Sequence, residues 1–466
     1  MKEDKWGYAI HTSSPACIAS INLYYEQVLT YGRSRGALIL DAVDADPNCV
    51  LANILAAHFC SSSPSAADRL PSLVHAASSN LEHATPYEVA VFETIECLIS
   101  PNRDDDVALH LHSKLLSEFP KDLVSLKRAQ ILCFYMGRPD LSLQLVQQVL
   151  PSNIEQDFVY GMLAFPLLEL GLMDEAEIAA NKGFRINNED PWSQHALCHV
   201  FQYQCRFKEA VEFMEKCSHS WAPLSSFMNT HNWWHVALCY LEGNAPFEKV
   251  RDIYENRIWK ELDRSDATPI EVYLNAVGLL LRVHVRGEIR FFEGHLKILA
   301  GFLSDRTFWY AEWHLDLLIL WALACTGKLS EAQDLLNGLK SKVSTMNPKK
   351  GKLMQKGLML AEASYEYGRG EYTRALELLG PDFDADNYKM VGASGEQLDV
   401  FNEVWYVMLL NAGHAEKAIK VIEKQLKKRD GTPFLWRLLE RCYLTLGKQE
   451  AESIGAKAKA LESAYF

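Results

Sequence analysis

Four histidines occur as two pairs with the same internal spacing, and imidazole is the side chain that ligates metals and transfers protons near neutral pH. His195 and His199 are four residues apart, and His231 and His235 repeat that spacing 36 residues further along the chain. Residues four apart lie on one face of a helix. The spacing therefore predicts two neighbouring helices whose inner faces bring four imidazoles together.

Three interpretations of this histidine cluster remain open from the sequence. In the first, the rings are packed, hydrogen-bonded residues beside aromatic side chains such as Trp192 and Trp233. In the second, the four histidines bind a divalent metal ion, because imidazole suits Zn, Fe, Cu and Ni. In the third, neighbours tune one imidazole for metal-free acid–base chemistry. The HExxH pattern of zinc enzymes is absent, since Ala196 and Asn232 follow the first histidine of each pair.

A later segment adds a carboxylate and a fifth imidazole, Glu312 and His314. If the cluster is catalytic, its candidate residues are His231, His235, His314 and Glu312, with acid–base chemistry of the hydrolase or lyase type. Alternatively, Glu312 is a solvated residue. Tryptophans are concentrated near these positions, and aromatic walls with a few polar groups are typical of small-molecule sites. We therefore expect the five histidines to line one enclosed pocket.

The run GASGEQLDVFN, from Gly392 to Asn402, is the second unusual stretch. Its small residues allow a ligand to approach the backbone of a helix that starts near Ser394. Alternatively, Ser394 and Gln397 form a capping box, which needs no ligand. We expect Ser394 to Asp399 to form a wall of the histidine pocket. The residues predicted to contact a ligand are His195, His199, His231, Asn232, Trp234, His235, His314, Ser394, Gln397 and Asp399.

Glycines at regular intervals indicate the elements that must position these residues. Gly137 and Gly171 are 34 residues apart, while Gly327, Gly370 and Gly413 are 43 apart. Each is followed by a small residue, as expected for a tight turn between two closely packed helices. A 34-residue period of this kind is typical of tetratricopeptide (TPR) repeats. We predict an all-α, right-handed TPR-like solenoid over residues 1–466, with regular 34-residue repeats in 81–245 and longer ones in 246–466.

Three stretches interrupt this periodicity. Residues 61–80 are small and polar, which predicts a loop with one short helix. Residues 341–352 are basic and polar, which predicts a linker. Residues 381–396 are rich in Gly and Asp and should not form a repeat helix. Insertions of this kind gather on one face of a solenoid, which is often the binding face.

Composition narrows the class of protein. The 466 residues carry 47 Lys and Arg against 60 Asp and Glu, a net charge of −13. Such a chain repels phosphates, which argues against nucleic acid as a partner. No apolar run approaches the ~20 residues of a membrane span, and the polar start predicts no secretion signal. The 11 cysteines form no Cys-x-x-Cys pair, so we expect free thiols and a cytoplasmic protein.

The segments DPWSQHALCHVFQYQCRFKEAVEFMEK, THNWWHVALCYLE and GASGEQLDVFNEV resemble the tetratricopeptide repeat protein 38 family. The resemblance covers nearly the whole chain and implies atypical TPR repeats with no established activity or catalytic residue. It also implies an acidic residue after the first histidine pair, where this chain has Gln202, which weighs against hydrolytic or metal chemistry there.

The general TPR resemblance implies a peptide or protein partner. The Lys and Asn pattern that clamps acidic chaperone tails is missing at inward positions such as Glu93, Cys97 and Ile131. The leading hypothesis is a scaffold that binds a peptide, protein or small ligand in its concave groove. The alternative is an enzyme or metalloprotein with a histidine-rich pocket.

Overall fold

A computed structural model describes the backbone of all 466 residues and the side chains of all but residues 64 and 65. A short antiparallel pair, β1 (Lys2–Glu3) with β2 (Ala9–Ile10), precedes 24 α-helices. Consecutive helices pack as pairs joined by short turns, for example the helices on either side of Gly171 and of Gly327. Neighbouring pairs within one part of the chain also pack on each other, for example helix Ser226–Glu242 on helix Pro269–Val285, which is the arrangement of a TPR-like α-solenoid. The predicted all-α fold class is confirmed.

The chain divides into two compact units. The first comprises Met1–Cys133, Arg138–Ala196 and Ser220–Ser225, and the second comprises Phe134–Gly137, Leu197–His219 and Ser226–Phe466. The first eleven helices in chain order are α1 (Pro15–Leu29), α2 (Arg35–Ala45), α3 (Val50–Ser61), α4 (Leu70–Ser79), α5 (Pro86–Ile99), α6 (Asp105–Glu118), α7 (Leu123–Tyr135), α8 (Pro139–Val149), α9 (Phe158–Glu169), α10 (Met173–Ile186) and α11 (Pro191–Tyr203). The last seven residues of α11 belong to the second unit.

The remaining helices belong to the second unit. They are α12 (Phe207–Cys217), α13 (Ser226–Glu242), α14 (Phe247–Ile253), α15 (Pro269–Val285), α16 (Glu293–Leu303), α17 (Trp313–Cys325), α18 (Leu329–Thr345), α19 (Pro348–Gly368), α20 (Tyr372–Leu379), α21 (Gly395–Asn411), α22 (Ala415–Leu426), α23 (Pro433–Thr445) and α24 (Ala451–Glu462). A π turn (Tyr254–Ile258) follows α14, and a 3-10 segment (Ala385–Val391) precedes α21.

The turn glycines behave as their spacing predicts. Gly137, Gly171, Gly327, Gly370 and Gly413 all have positive φ, between +66° and +82°. Each lies just beyond the end of a helix, where a left-handed residue satisfies carbonyls that the helix leaves free. Glycine adopts this conformation without steric cost, which is why the repeat is readable in the sequence.

Two helices that begin a pair in the second unit, α13 and α17, are buried on almost every side. Helix α17 is buried from His314 to Ala324, and α13 is buried from Thr230 to Glu242. The second helices, such as α12 and α22, bury one stripe. A helix buried all round is normally apolar all round, yet α13 carries His231, Asn232 and His235 in its buried part. At these polar residues the core of the second unit is not apolar, as packing alone would favour.

Two of the predicted interruptions are helical. Residues 61–80 form a 3-10 turn (Pro64–Arg69) followed by α4, whose proline lies in the first helical turn where proline is tolerated. Residues 341–352 are shared between α18 and α19, with Met346 and Asn347 as the break. The short helix predicted in residues 61–80 is present as α4, but less of this stretch is loop than expected. The linker prediction for residues 341–352 is wrong. Residues 381–396 are irregular, as expected, until α21 begins.

No helix among the described residues is both long enough and apolar enough to pass through a bilayer.

Candidate functional site

A carboxylate from α21 lies between two of the predicted histidines. Glu396 is in the first turn of α21, and its Oε2 lies 2.7 Å from Nδ1 of His199 on α11 and 3.2 Å from Nδ1 of His235 on α13. The two imidazoles are 4% and 0% exposed, and the carboxylate is 12% exposed. The segment Ser394 to Asp399 thus meets the histidine helices directly.

His231 is fixed by an amide on the neighbouring helix α15. Its Nδ1 lies 2.8 Å from Oδ1 of Asn275, and Nδ2 of Asn275 donates to Oγ1 of Thr230 at 2.9 Å. The hydroxyl of Thr230 in turn donates to the carbonyl of Ser226. Because the amide nitrogen of Asn275 donates to Thr230, the atom of Asn275 that faces His231 is the acceptor Oδ1. Nδ1 of His231 therefore carries the proton.

The three rings pack closely against one another. His199 and His235 meet edge to face with centroids 4.4 Å apart, and His231 and His235 do so at 4.7 Å. One ring nitrogen from each residue lies within 4.8 Å of one from each of the others. His231 is also stacked between Phe227 and Trp234, with centroids at 4.9 and 5.3 Å. The aromatic partners hold the ring orientation and exclude water from it.

Burial and charge set the protonation of these groups. Burial lowers the pKa of His231 well below its ordinary value, with His235 adding to the effect, and burial also lowers the pKa of His235. Burial alone would raise the pKa of the Glu396 carboxyl, but His199 and His235 outweigh it and hold that pKa well below its ordinary value. The centre therefore combines neutral imidazoles on α13 with an ionised carboxylate.

His195, the fourth predicted ligand, lies one turn before His199 on α11 and belongs to the first unit. His195 is 2% exposed. Its ring stacks on Trp192 with centroids 4.5 Å apart and lies 6.0 Å from Phe165. Its surroundings in the first unit are those of a packed aromatic residue.

A second layer of buried charges surrounds the centre. Glu242, at the end of α13, receives hydrogen bonds from Arg429 and from Gln202, the latter at 3.1 Å. Arg282 on α15 lies 3.8 Å from both Glu242 and Glu403, and it donates to the backbone carbonyl of Glu396. Buried charges are tolerated when they are paired in this way. Gln202 thus binds a carboxylate instead of supplying one.

The other predicted residues are placed differently. His314 lines a small cavity with Trp234, Arg282 and Gln397, and burial together with the charge of Arg282 lowers the pKa of His314 to about 3. This cavity has a volume of about 10 Å³, room for one water molecule. Glu312 accepts a hydrogen bond from Tyr135 at 3.0 Å, outside the histidine cluster. Burial raises the pKa of Glu312.

The first turn of α21 is capped by Ser394 and Gln397, which is the alternative in which this segment needs no ligand. The side chain of Ser394 accepts from the backbone of Gln397, and the side chain of Gln397 accepts from the backbone of Ser394, which confirms the capping box. Asp399 pairs with Arg429 at 3.4 Å. Asn232 is fully buried, and neither polar atom of its amide has a hydrogen-bond partner among the described residues.

The histidines of the second unit on α11 and α13 do not face open solvent. They are covered by the first turn of α21, because an acidic side chain from a later repeat packs onto the inner faces of α11 and α13. Sequence reasoning did not single out Glu396, Asn275 or Arg282. The signal for Glu396 was its place two residues after the Ser394 cap, which puts it in the first helical turn.

Fold and site together define an all-α, TPR-like helical-repeat protein with a buried polar centre. No known family model matches the sequence. Among solved structures, the human IFIT1 dimer with m7Gppp-AAAA is 12% identical with a TM-score of 0.40, covering 97% of this chain and 92% of IFIT1. The human IFIT1 dimer with PPP-AAAA is 13% identical with a TM-score of 0.39, covering 98% and 96%. The structure of Naa15/Naa10 bound to HypK-THB is 12% identical with a TM-score of 0.25, and the match covers 95% of this chain and 67% of the matched chain.

Proposed function

We propose that this protein is a TPR-like scaffold that binds one small ligand at the centre formed by His199, His231, His235 and Glu396. The observation that carries the proposal is the shared contact of Glu396 with His199 and His235. This contact closes the inner faces of α11 and α13, so the ligand at this point is of ionic or near-ionic size. An extended peptide does not fit between groups that already touch.

The composition of the centre supports a binding role over a purely structural one. Three imidazoles and a carboxylate occupy a place in α11, α13 and α21 where apolar side chains would pack without desolvating any polar group. Polar clusters with shifted pKa values inside a core are candidates for functional sites. Asn232, the residue after His231 on α13, is fully buried, and among the described residues neither amide atom has a hydrogen-bond partner, which is more polarity than packing requires.

The same residues carry the family resemblance. THNWWH contributes His231 and His235, and GASGEQLDVF contributes Glu396. We therefore propose that the chain is a member of the tetratricopeptide repeat protein 38 family and that these two motifs meet to form its ligand site. A peptide or protein partner, the exclusion of nucleic acid, the repeat periods and a cytoplasmic location stay predictions from the sequence.

Native mass spectrometry of the purified chain tests the proposal. We expect a small adduct that disappears in His235→Ala and persists in His314→Ala, since His314 is equally buried in the same unit but lies outside the cluster. Restoring the ligand should raise the free energy of unfolding of the wild type by about 2.7 kcal/mol at one hundred times its Kd. Adduct-free protein that no small ion or molecule stabilises would contradict a ligand site here.

A further inference from the structure

We infer that the ligand of this centre is a divalent transition-metal ion bound by the imidazoles of His199, His231 and His235. The inference rests on the proposed function and names the chemical class of its ligand. Imidazole is a good ligand for the later first-row metals and for zinc. The three residues lie on two neighbouring helices of one unit, and a ring nitrogen of each is within 4.8 Å of one from each of the others.

The protein already fixes which nitrogen of each ring is available as a donor. Nδ1 of His231 donates to Asn275, and Nδ1 of His199 and of His235 lie beside Oε2 of Glu396. A lone pair of nitrogen cannot face a carboxylate oxygen at such distances, so each Nδ1 carries the proton. In a neutral imidazole, the lone pair is then on Nε2. All three rings therefore have the tautomer of an Nε2 metal ligand.

The spacing of the rings is close to that of an assembled site. With Zn–N bonds of ~2.0–2.1 Å in a tetrahedral arrangement, ligand nitrogens are separated by about 3.4 Å. One nitrogen of each ring, Nδ1 or Nε2, lies within 4.8 Å of one from each of the others. The three rings are therefore gathered in one place, at a separation larger than that of bound ligands.

Glu396 and Asn275 have the positions of orienting residues behind metal-bound histidines. Metal-ligating imidazoles almost always donate their other N–H to a carboxylate or carbonyl oxygen, which fixes the ring and raises its basicity. Oε2 of Glu396 lies within 3.2 Å of Nδ1 in two of the rings, and Oδ1 of Asn275 lies 2.8 Å from Nδ1 of the third. The carboxylate also balances part of the charge of a dication in a buried place. The nearby cation Arg282 is itself held between Glu242 and Glu403.

Three protein nitrogens leave a further coordination position. A water molecule or a small anion would fill it. His314 is not in the cluster and serves as a matched control, because it is a buried histidine of the same unit.

Metal content and affinity of the full-length chain, expressed without a polyhistidine tag, test the inference. We expect about one Zn²⁺ per chain by elemental analysis. After chelation and dialysis, Zn²⁺ should rebind, and Co²⁺ should give the visible spectrum of a nitrogen-ligated site. Each of His199→Ala, His231→Ala and His235→Ala should lose stoichiometric binding, while His314→Ala retains it. Glu396→Gln and Asn275→Leu should weaken Zn²⁺ binding by about 10–100-fold while keeping the stoichiometry.

X-ray absorption spectroscopy on the zinc-loaded wild type keeps the test independent of how the variants fold. A first shell with at least three imidazoles supports the inference. Zinc bound through sulfur, or binding that His235→Ala leaves unchanged, overturns it. A non-metal adduct that depends on His235 overturns the metal assignment but leaves the proposed function standing. The absence of any adduct, with no response to Zn²⁺ or Co²⁺, overturns both.

Discussion

Oε2 of Glu396 lies 2.7 Å from Nδ1 of His199, joining the first turn of α21 to α11 although the two residues are nearly 200 positions apart in the chain. This pair closes the inner face of the second unit at the histidine cluster. It converts a helix face that a regular repeat would leave open into a buried, charged centre. The choice between an open groove and a closed ligand site depends on this contact.

Replacing Glu396 should destabilise the protein even without ligand. In Glu396→Gln, the amide keeps the volume but removes the charge beside His199 and His235, so one buried imidazole N–H loses its best acceptor. We expect the free energy of unfolding to fall by about 1–3 kcal/mol, measured by urea denaturation of metal-free protein. The control Glu377→Gln, in an exposed pair with Arg374, should change it by less than ~0.5 kcal/mol. Equal effects would mean that the Glu396 contact contributes nothing.

Arg429 should be required for the stability of the folded protein, because it pairs with the buried carboxylate of Glu242. Its guanidinium lies against that carboxylate, and burial would raise the pKa of Glu242 if Arg429 and Arg282 did not lower it. Arg429→Met should cost about 3–5 kcal/mol by leaving the carboxylate without its closest cation. The double variant Glu242→Leu with Arg429→Met should recover part of this loss. Additive losses in the double-mutant cycle would show that the two side chains do not act as a pair.

The first unit contains a histidine whose effect on stability should depend on pH. Burial lowers the pKa of His112 to about 3, and its Nδ1 lies 2.7 Å from the carbonyl of Ala108. Between pH 6.5 and 3 the unfolded chain binds a proton at this residue that the folded chain does not, so stability is full above pH 6.5 and falls as the pH drops. His112→Gln should reduce that slope by about 1.4 kcal/mol per pH unit.

Chemical denaturation at pH 7, 6, 5 and 4.5 measures this slope. His219→Gln, at an exposed residue, is the matched substitution that controls for the replacement of histidine by glutamine itself. An unchanged slope in His112→Gln would contradict the assignment of a neutral, buried His112.

Alanine substitutions at two turn glycines distinguish the cost of a left-handed backbone from the cost of steric crowding by the added Cβ. Gly137 and Gly370 have φ of +66° and +82°, so alanine at either position should cost about 1–2 kcal/mol. A Cβ at Gly137 would also lie 2.7 Å from the backbone nitrogen of Met390, whereas one at Gly370 meets nothing within 4 Å. Gly137→Ala should therefore lower the free energy of unfolding further than Gly370→Ala. Equal losses would show that the 3-10 segment before α21 yields to the added methyl group.

The helices and turns were largely predictable, because the signals are local. A left-handed turn selects glycine, which made the positions of Gly171, Gly327 and Gly413 readable. Helices α11 and α23 begin at Pro191 and Pro433, and proline is favoured at the first helical position. Local composition also misled, because the small, polar residues of 61–80 are compatible with helix once α4 can pack against α3.

The centre was only partly predictable, because its closure depends on contacts distant in sequence. Spacing brought His199, His231 and His235 to adjacent helix faces, and this required only the repeat register. The approach of Glu396 to these faces depends on the packing of α21 against α15, which no local pattern encodes. For the same reason, the burial of the histidines and the role of Asn275 could not be read from the sequence.

Anomalous X-ray diffraction from crystals of zinc-loaded protein, recorded on both sides of the zinc edge, tests the central claim most directly. The account predicts one anomalous peak per chain within bonding distance, ~2.0–2.1 Å, of imidazole nitrogens of His199, His231 and His235, with Glu396 behind two of the rings. Zinc located elsewhere, or no peak beside these rings in crystals soaked with excess Zn²⁺, would contradict it.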